Sequence, residues 1–163
     1  MVLYAAAEIP AAQGPFWPEY ENAVLRLGDR SRAETELDQR AKRVERFHIE
    51  PLTEHKREYF ANAWRQNQVN FLDDPAASIA EADNLVCEVM KERGYPMADF
   101  ERRADDLSVD HPQVVRNYRA AHEIAVRRTR GEANTEDLRQ AMVYYRELFS
   151  ELLQSPASRE VHR

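Results

Sequence analysis

The chain has 163 residues, of which 32% are charged and only four are glycine, and its formal net charge is −6. This length suits one domain with a substantial core, and the composition argues against a loop-rich β fold. The acidic balance disfavours nucleic-acid binding, which needs a clustered positive surface. With a single cysteine, Cys87, no internal disulfide can form.

The start of the chain predicts a flexible segment, residues 1–15, followed by a helical arm, residues 16–50. Pro18 begins a short helix, and Ser31 with Glu34 predicts a capping box for the second helix. Apolar positions in this second helix recur every three or four residues: Ala33, Leu37, Ala41, Val44 and Phe47. This spacing predicts a narrow seam that docks on the main body or pairs with a second copy.

Residues 51–154 predict a series of amphipathic helices. Thr53 is expected to cap the first of them, Asp74 caps the next, and Gly94 ends it. The apolar face expected for the first helix consists of Phe60, Ala63, Trp64, Phe71 and Leu72, with Asn67 interrupting it. Short connections favour antiparallel neighbours. The predicted fold is therefore all-α: an antiparallel bundle of about four main helices with an N-terminal helical arm and a disordered tail, residues 155–163.

The chain carries no nucleotide, nucleophile or complete metal motif, and no cofactor is expected. The dipeptide Asp110-His111 comes directly before Pro112, and helix capping explains both the aspartate and the turn without a catalytic role. Alternatively, the Asp110 carboxylate could orient the His111 imidazole in a catalytic pair. The alternative to a non-enzymatic domain is therefore a metal-binding or enzymatic bundle near this link. Its expected site residues are Asp105, Asp106, Asp110, His111 and His122.

Several motifs between Phe16 and Leu153 together resemble a family of small helical bacterial proteins with no established activity. The most specific are Asp106-Leu107-Ser108-Val109-Asp110-His111-Pro112, Asn117-Tyr118-Arg119-Ala120-Ala121-His122 and Thr135-Glu136-Asp137-Leu138-Arg139-Gln140-Ala141-Met142. Shorter ones are Pro18-Glu19-Tyr20, Gly28-Asp29-Arg30, Arg43-Val44-Glu45, Pro51-Leu52, Phe71-Leu72-Asp73-Asp74-Pro75, Glu81-Ala82-Asp83 and Gly94-Tyr95-Pro96. The resemblance implies a helical domain that is often tethered to a membrane.

The start of this chain departs from that pattern. Residues 1–13 are too short to span a bilayer, which takes about 20 apolar residues, and they lack the basic region of a signal peptide. We therefore expect a copy that is soluble or shortened at its start. The expected location is the cytoplasm or the cytoplasmic side of a membrane.

The sequence favours a non-enzymatic interaction or scaffolding domain, membrane-proximal in bacteria, over an enzyme. The expected partner is another protein or a second copy, with a homodimer forming through the arm helix between Ser31 and Phe47. The expected interface side chains are Trp17, Leu37, Val44 and Phe47.

Overall fold

The computed structural model describes residues 17–154, with side chains from Glu19 onwards. Seven α-helices make up 81% of these residues and no strand occurs among them, which confirms the all-α class. The helices are α1 (Trp17–Leu27), α2 (Arg30–Glu45), α3 (Glu54–Asn70), α4 (Pro75–Arg93), α5 (Phe100–Asp110), α6 (Pro112–Thr129) and α7 (Thr135–Gln154). The segments predicted to be flexible or disordered, residues 1–15 and 155–163, lie outside the described residues.

Two helices in the middle of the chain begin where the sequence predicts. Thr53 accepts a hydrogen bond from the Lys56 N–H at 3.2 Å, and Asp74 Oδ1 accepts from the Ala77 N–H at 3.1 Å. Each side chain satisfies a backbone donor that has no partner within its own helix. Both predicted N-caps are therefore confirmed.

The predicted cap of the second helix is wrong by two residues. Helix α2 begins at Arg30, and Asp29 Oδ1 accepts a hydrogen bond from the Ser31 N–H at 3.0 Å. Asp29 has extended backbone angles, as an N-cap requires, whereas Ser31 is already inside the first turn. An aspartate before the helix therefore does what was expected of the serine.

Gly94 ends α4, as predicted, for two physical reasons. Its φ is +112°, a left-handed conformation that strains any residue with a Cβ. A Cβ added there would also overlap the carbonyl oxygen of His48. The glycine therefore lets the chain before α3 pass close to the end of α4, and the Glu50 N–H donates to the Arg93 carbonyl at 2.8 Å.

The described helices group into two compact units, each with its own interior. Unit 1 comprises residues 17–47 and 98–116, and α2 packs against both α1 and α5 within it. Its fully buried apolar side chains are small or medium in size: Ala23, Ala33, Ala104, Leu107 and Val115. The expected domain boundaries at residues 50 and 51 stay a prediction.

Unit 2 comprises residues 48–97 and 117–154, and α4 packs against both α3 and α7. Its core contains large apolar and aromatic side chains. The Trp64 ring stacks on Phe149 with centroids 4.8 Å apart, and Tyr118 meets Tyr145 edge-on at 6.4 Å. Each such side chain contributes about 1.5–3 kcal/mol of transfer free energy, so this unit has a conventional hydrophobic core.

Helix α3 differs from its predicted packing at two positions. Asn67 is 2% exposed and belongs to the interface with α4, where its Nδ2 donates to the Ser78 carbonyl at 3.0 Å. The Ser78 hydroxyl donates back to the Asn67 carbonyl at 3.2 Å, so both polar side chains are satisfied. Leu72, predicted to be buried, is 84% exposed and lies in the turn that follows the end of the helix at Asn70.

Candidate functional site

Helix α5 brings together four of the five site residues that the sequence predicts. Asp105 and Asp106 lie on this helix, Asp110 is its last residue, and His111 is its C-cap residue. All four belong to unit 1. His122 lies half-buried on α6 in unit 2. The predicted set is thus divided between the two units.

The Asp110-His111 link has a structural role that its backbone explains. The His111 N–H donates to the Leu107 carbonyl at 2.8 Å, and the His111 carbonyl accepts from the Val115 N–H at 3.1 Å. One residue therefore closes α5 and opens α6. Asp110 Oδ2 is buried and has no hydrogen-bond partner among the described residues.

The most organised polar site in unit 1 centres on Arg40, which the sequence analysis did not single out. Its side chain is 2% exposed, and Nη1 donates to Glu19 Oε1 at 2.8 Å and to the Ser108 hydroxyl at 3.0 Å. Nη2 donates to Glu36 Oε2 at 2.6 Å and lies 3.2 Å from Asp105 Oδ1. One guanidinium thus joins side chains from α1, α2 and α5.

This cluster, called here the Arg40 cluster, combines deeply buried and partly solvated charges. Glu19 is 1% exposed, whereas Glu36 and Asp105 are about a quarter exposed. Burial alone raises the pKa of Glu36. The hydrogen bonds from Arg26 and Arg40 outweigh this effect and hold the pKa below its ordinary value. The charges within the Arg40 cluster are therefore compensated by direct pairing.

Asp106 forms a second ion pair one residue along α5. Arg43 donates to Asp106 Oδ1 from both Nε, at 2.9 Å, and Nη2, at 2.7 Å. Burial raises the pKa of Asp106, and the hydrogen bonds and charge of Arg43 offset only part of that rise. Two of the three predicted site carboxylates, Asp105 and Asp106, therefore pair with arginines of α2.

A metal-binding arrangement does not appear around these residues. Within residues 17–154, no three His, Cys, Asp or Glu side chains are grouped so that they could hold a metal ion. Two aspartates next to each other on α5 point to different arginines, Arg40 and Arg43. The carboxylates contribute to the packing of helices in unit 1.

The predicted interface residues of the arm are mostly covered by other parts of unit 1. Val44 is 4% exposed, and Leu37 and Phe47 are half-buried. The side chain of Trp17 lies outside the described residues. The arm seam therefore offers less apolar surface than the sequence suggests.

A different surface, on α3, is both exposed and poor in charge. Its members follow one another at intervals of four, three, four and three residues: His55, Tyr59, Asn62, Gln66 and Val69. They are all exposed, and the two largest, Tyr59 and Val69, are 57% and 60% exposed. We call these five residues the α3 row. Trp64 lies on the opposite, buried side of the helix.

The α3 row has a composition typical of contact surfaces. Interfaces are enriched in tyrosine and depleted in lysine and glutamate relative to other surfaces. The row contains no lysine, arginine, aspartate or glutamate, although such residues make up 32% of the chain. The spacing of alternately four and three residues is that of the seam between two helices in a coiled coil.

Comparison with family models, with curated proteins and with solved structures found no match to this chain. Among residues 17–154, no helix is both long enough and apolar enough to cross a membrane.

Proposed function

We propose that this chain is a non-enzymatic interaction or scaffolding domain that uses the α3 row as its contact surface. The observation that carries this proposal is the exposure of Tyr59 and Val69 on one face of a single helix. Leu72, in the turn just beyond the helix, is also exposed, at 84%. An exposed tyrosine and an exposed valine, with no charged residue between them in the row, suit a contact with another protein.

The packing of α3 supports a role for its outer face. Phe60, Trp64 and Asn67 hold the helix by its inner face, and Trp64 stacks directly on Phe149. A helix fixed in this way presents its outer side chains without having to reorganise on binding. Preorganisation of this kind lowers the entropic cost of association.

The interaction domain is favoured over the metal-binding or enzymatic alternative by the pairing of two of the five predicted site residues. Asp105 and Asp106 form ion pairs with Arg40 and Arg43, respectively, so both carboxylates are neutralised by arginines of unit 1. A general base or metal ligand needs an approachable lone pair in a site with room for a reactant. Helix packing accounts for both carboxylates without such a site.

Two parts of the sequence-based interpretation remain within the proposal. An antiparallel bundle of four main helices in residues 51–154 is favoured by the short links between α3 and α4 and between α6 and α7. A membrane-proximal location is implied by the family resemblance alone. A homodimer through the arm has less support, because Val44 is buried within unit 1.

Site-specific photo-crosslinking tests the proposed contact surface. A photoreactive side chain replaces Gln66 in the α3 row, and a matched control carries it at Gln140, which is exposed on α7. We expect a defined crosslinked species from position 66 in purified protein or in host cells, and a lower yield when Val69→Glu is added. Equal products from positions 66 and 140, or none from position 66 in either setting, would contradict the proposal.

A further inference from the structure

The spacing of the α3 row allows its partner to be identified. We infer that two copies of this chain pair through their α3 helices, antiparallel and related by a two-fold axis at the level of Trp64. This inference rests on the proposed function and names the partner of the same surface. It differs from a homodimer through the arm, because α2 takes no part in it.

The antiparallel register follows from the residue numbers of the row. With the midpoint at residue 64, Tyr59 of one copy lies opposite Val69 of the other, and Asn62 lies opposite Gln66. The same register places His55 opposite Asp73, an exposed residue in the turn that follows α3. A two-fold axis makes each contact occur twice, so six positions on each copy are matched.

The hydrogen bonds within one chain leave complementary groups at the centre of this pairing. The carbonyl oxygen of Asn62 accepts from Arg65, and Nε2 of Gln66 donates to Asn70 Oδ1 at 3.2 Å. The groups left for a partner include both N–H donors of Asn62 and the carbonyl of Gln66. In the antiparallel register these two sets face each other.

Charge distinguishes the antiparallel arrangement from a parallel one. A parallel pair would place Asp73 against Asp73 and His55 against His55, whereas the antiparallel pair matches an imidazole with a carboxylate. Arg65 of each copy would also lie about 7.5 Å along the helix axis from Glu58 of the other, within reach of both side chains. Opposite charges beside a seam favour one orientation of the two helices.

The net charge of −6 makes a neutral contact surface important for self-association. Two acidic copies repel each other, and carboxylates brought together at an interface would add to that repulsion. Helix α3 spans about 25 Å, and one pair of such helices buries less area than the roughly 1,200 Å² of a standard interface. We therefore expect a reversible dimer that forms in the micromolar range or above.

Sedimentation equilibrium over a wide concentration range provides the first test. We expect reversible dimerisation of the full chain, weakened at least tenfold by Tyr59→Glu or by Val69→Glu. Leu25→Glu is the matched control, because Leu25 is 84% exposed on α1 and lies outside the row. All three positions are exposed, so circular dichroism should show unchanged helix content and melting.

A charge exchange tests the register itself. The single variants His55→Glu and Asp73→Lys should each weaken the dimer. His55→Glu places a carboxylate opposite Asp73 of the other copy, and Asp73→Lys removes the carboxylate that faces His55. The double variant should restore association to near its original strength, because the introduced carboxylate of one copy then faces the introduced ammonium group of the other. Restoration by the double variant would not follow from a general effect of charge on solubility.

Crosslinking between single cysteines gives an independent readout in a Cys87→Ser background. A mixture of Tyr59→Cys and Val69→Cys chains should form a mixed disulfide, whereas neither variant should do so alone. A monomer at every concentration, or a dimer that all the row variants leave unchanged, would overturn the self-pairing. If position 66 then crosslinks to a different host protein, the proposed function stands and only the identity of the partner is refuted.

Discussion

Replacing Arg40 tests whether unit 1 depends on its ionic interior. The Arg40→Met variant keeps an unbranched apolar stem but removes the guanidinium that pairs with Glu19, which is 1% exposed. Removing one member of a buried ion pair leaves an uncompensated charge and costs about 3–5 kcal/mol. Glu36 and Asp105 are each about a quarter exposed, so water can solvate them, and most of the cost comes from Glu19.

A double variant separates the loss of the pair from the loss of the arginine stem. In Glu19→Leu/Arg40→Met no charge remains buried between α1 and α2, so we expect a total cost below about 2 kcal/mol, because apolar replacements of buried pairs are often nearly neutral. The matched control is Arg32→Met on the exposed side of α2, with an expected change within about 0.5 kcal/mol.

Urea unfolding followed by circular dichroism measures these free energies, and hydrogen exchange locates them. Faster exchange in α1, α2 and α5 is expected for Arg40→Met, since Arg40 joins these three helices. A loss of less than about 1 kcal/mol in the single variant would refute the reasoning, since a buried pair broken on one side costs several times more. A double variant as unstable as the sum of the two single variants would refute it equally.

Three further predictions concern single positions. Gly94→Ala should cost more than about 2 kcal/mol in urea unfolding, because a Cβ would overlap His48, whereas Gly131→Ala, with φ +74° and open space around it, should cost only about 1–2 kcal/mol; equal losses would contradict the close approach. The folded-state pKa of Glu36 lies below its ordinary value of 4.5, so its carboxylate stabilises the fold above that pH and the contribution is lost as pH falls through the folded pKa. Glu36→Gln should therefore lose less stability on acidification than the parent chain, and an unchanged acid profile would count against the Arg26 and Arg40 contacts. Burial, helped by the Asp83 carboxylate, raises the pKa of Tyr145, so Tyr145→Phe should reduce the absorbance change that appears late in an alkaline titration; an unaltered late phase would contradict the raised pKa.

The helices could be predicted from the sequence because their signals are local. Caps such as Thr53 and Asp74 act within one turn, and the apolar periodicity of α4 and α7 matches their buried faces. The Ser31 prediction failed because Asp29 and Ser31 are both good caps, and only the backbone conformation distinguishes them. Leu72 failed because periodicity does not reveal where a helix stops.

The Arg40 cluster was missed although the sequence contains a signal for it. The positions Ala33, Leu37, Arg40, Val44 and Phe47 follow intervals of four, three, four and three, but a charged residue is left out of an apolar pattern. Its partners Glu19 and Ser108 are 21 and 68 residues away along the chain. Buried ion pairs of this kind depend on contacts between distant segments, and these are absent from the local sequence.

A contact surface on α3 is favoured over one on α2 for a physical reason. A narrow apolar seam is available to a partner only if it is exposed, and in α2 Val44 is 4% exposed while Leu37 and Phe47 are half-buried. In α3, apolar side chains occur on both faces: Phe60 and Trp64 inside, Tyr59 and Val69 outside. One apolar face is enough for a helix to pack against its own chain. The second apolar face of α3, with Tyr59 and Val69, remains exposed to solvent. We propose that pairing with another α3 makes use of the heptad spacing of that second face and of its absence of fixed charge.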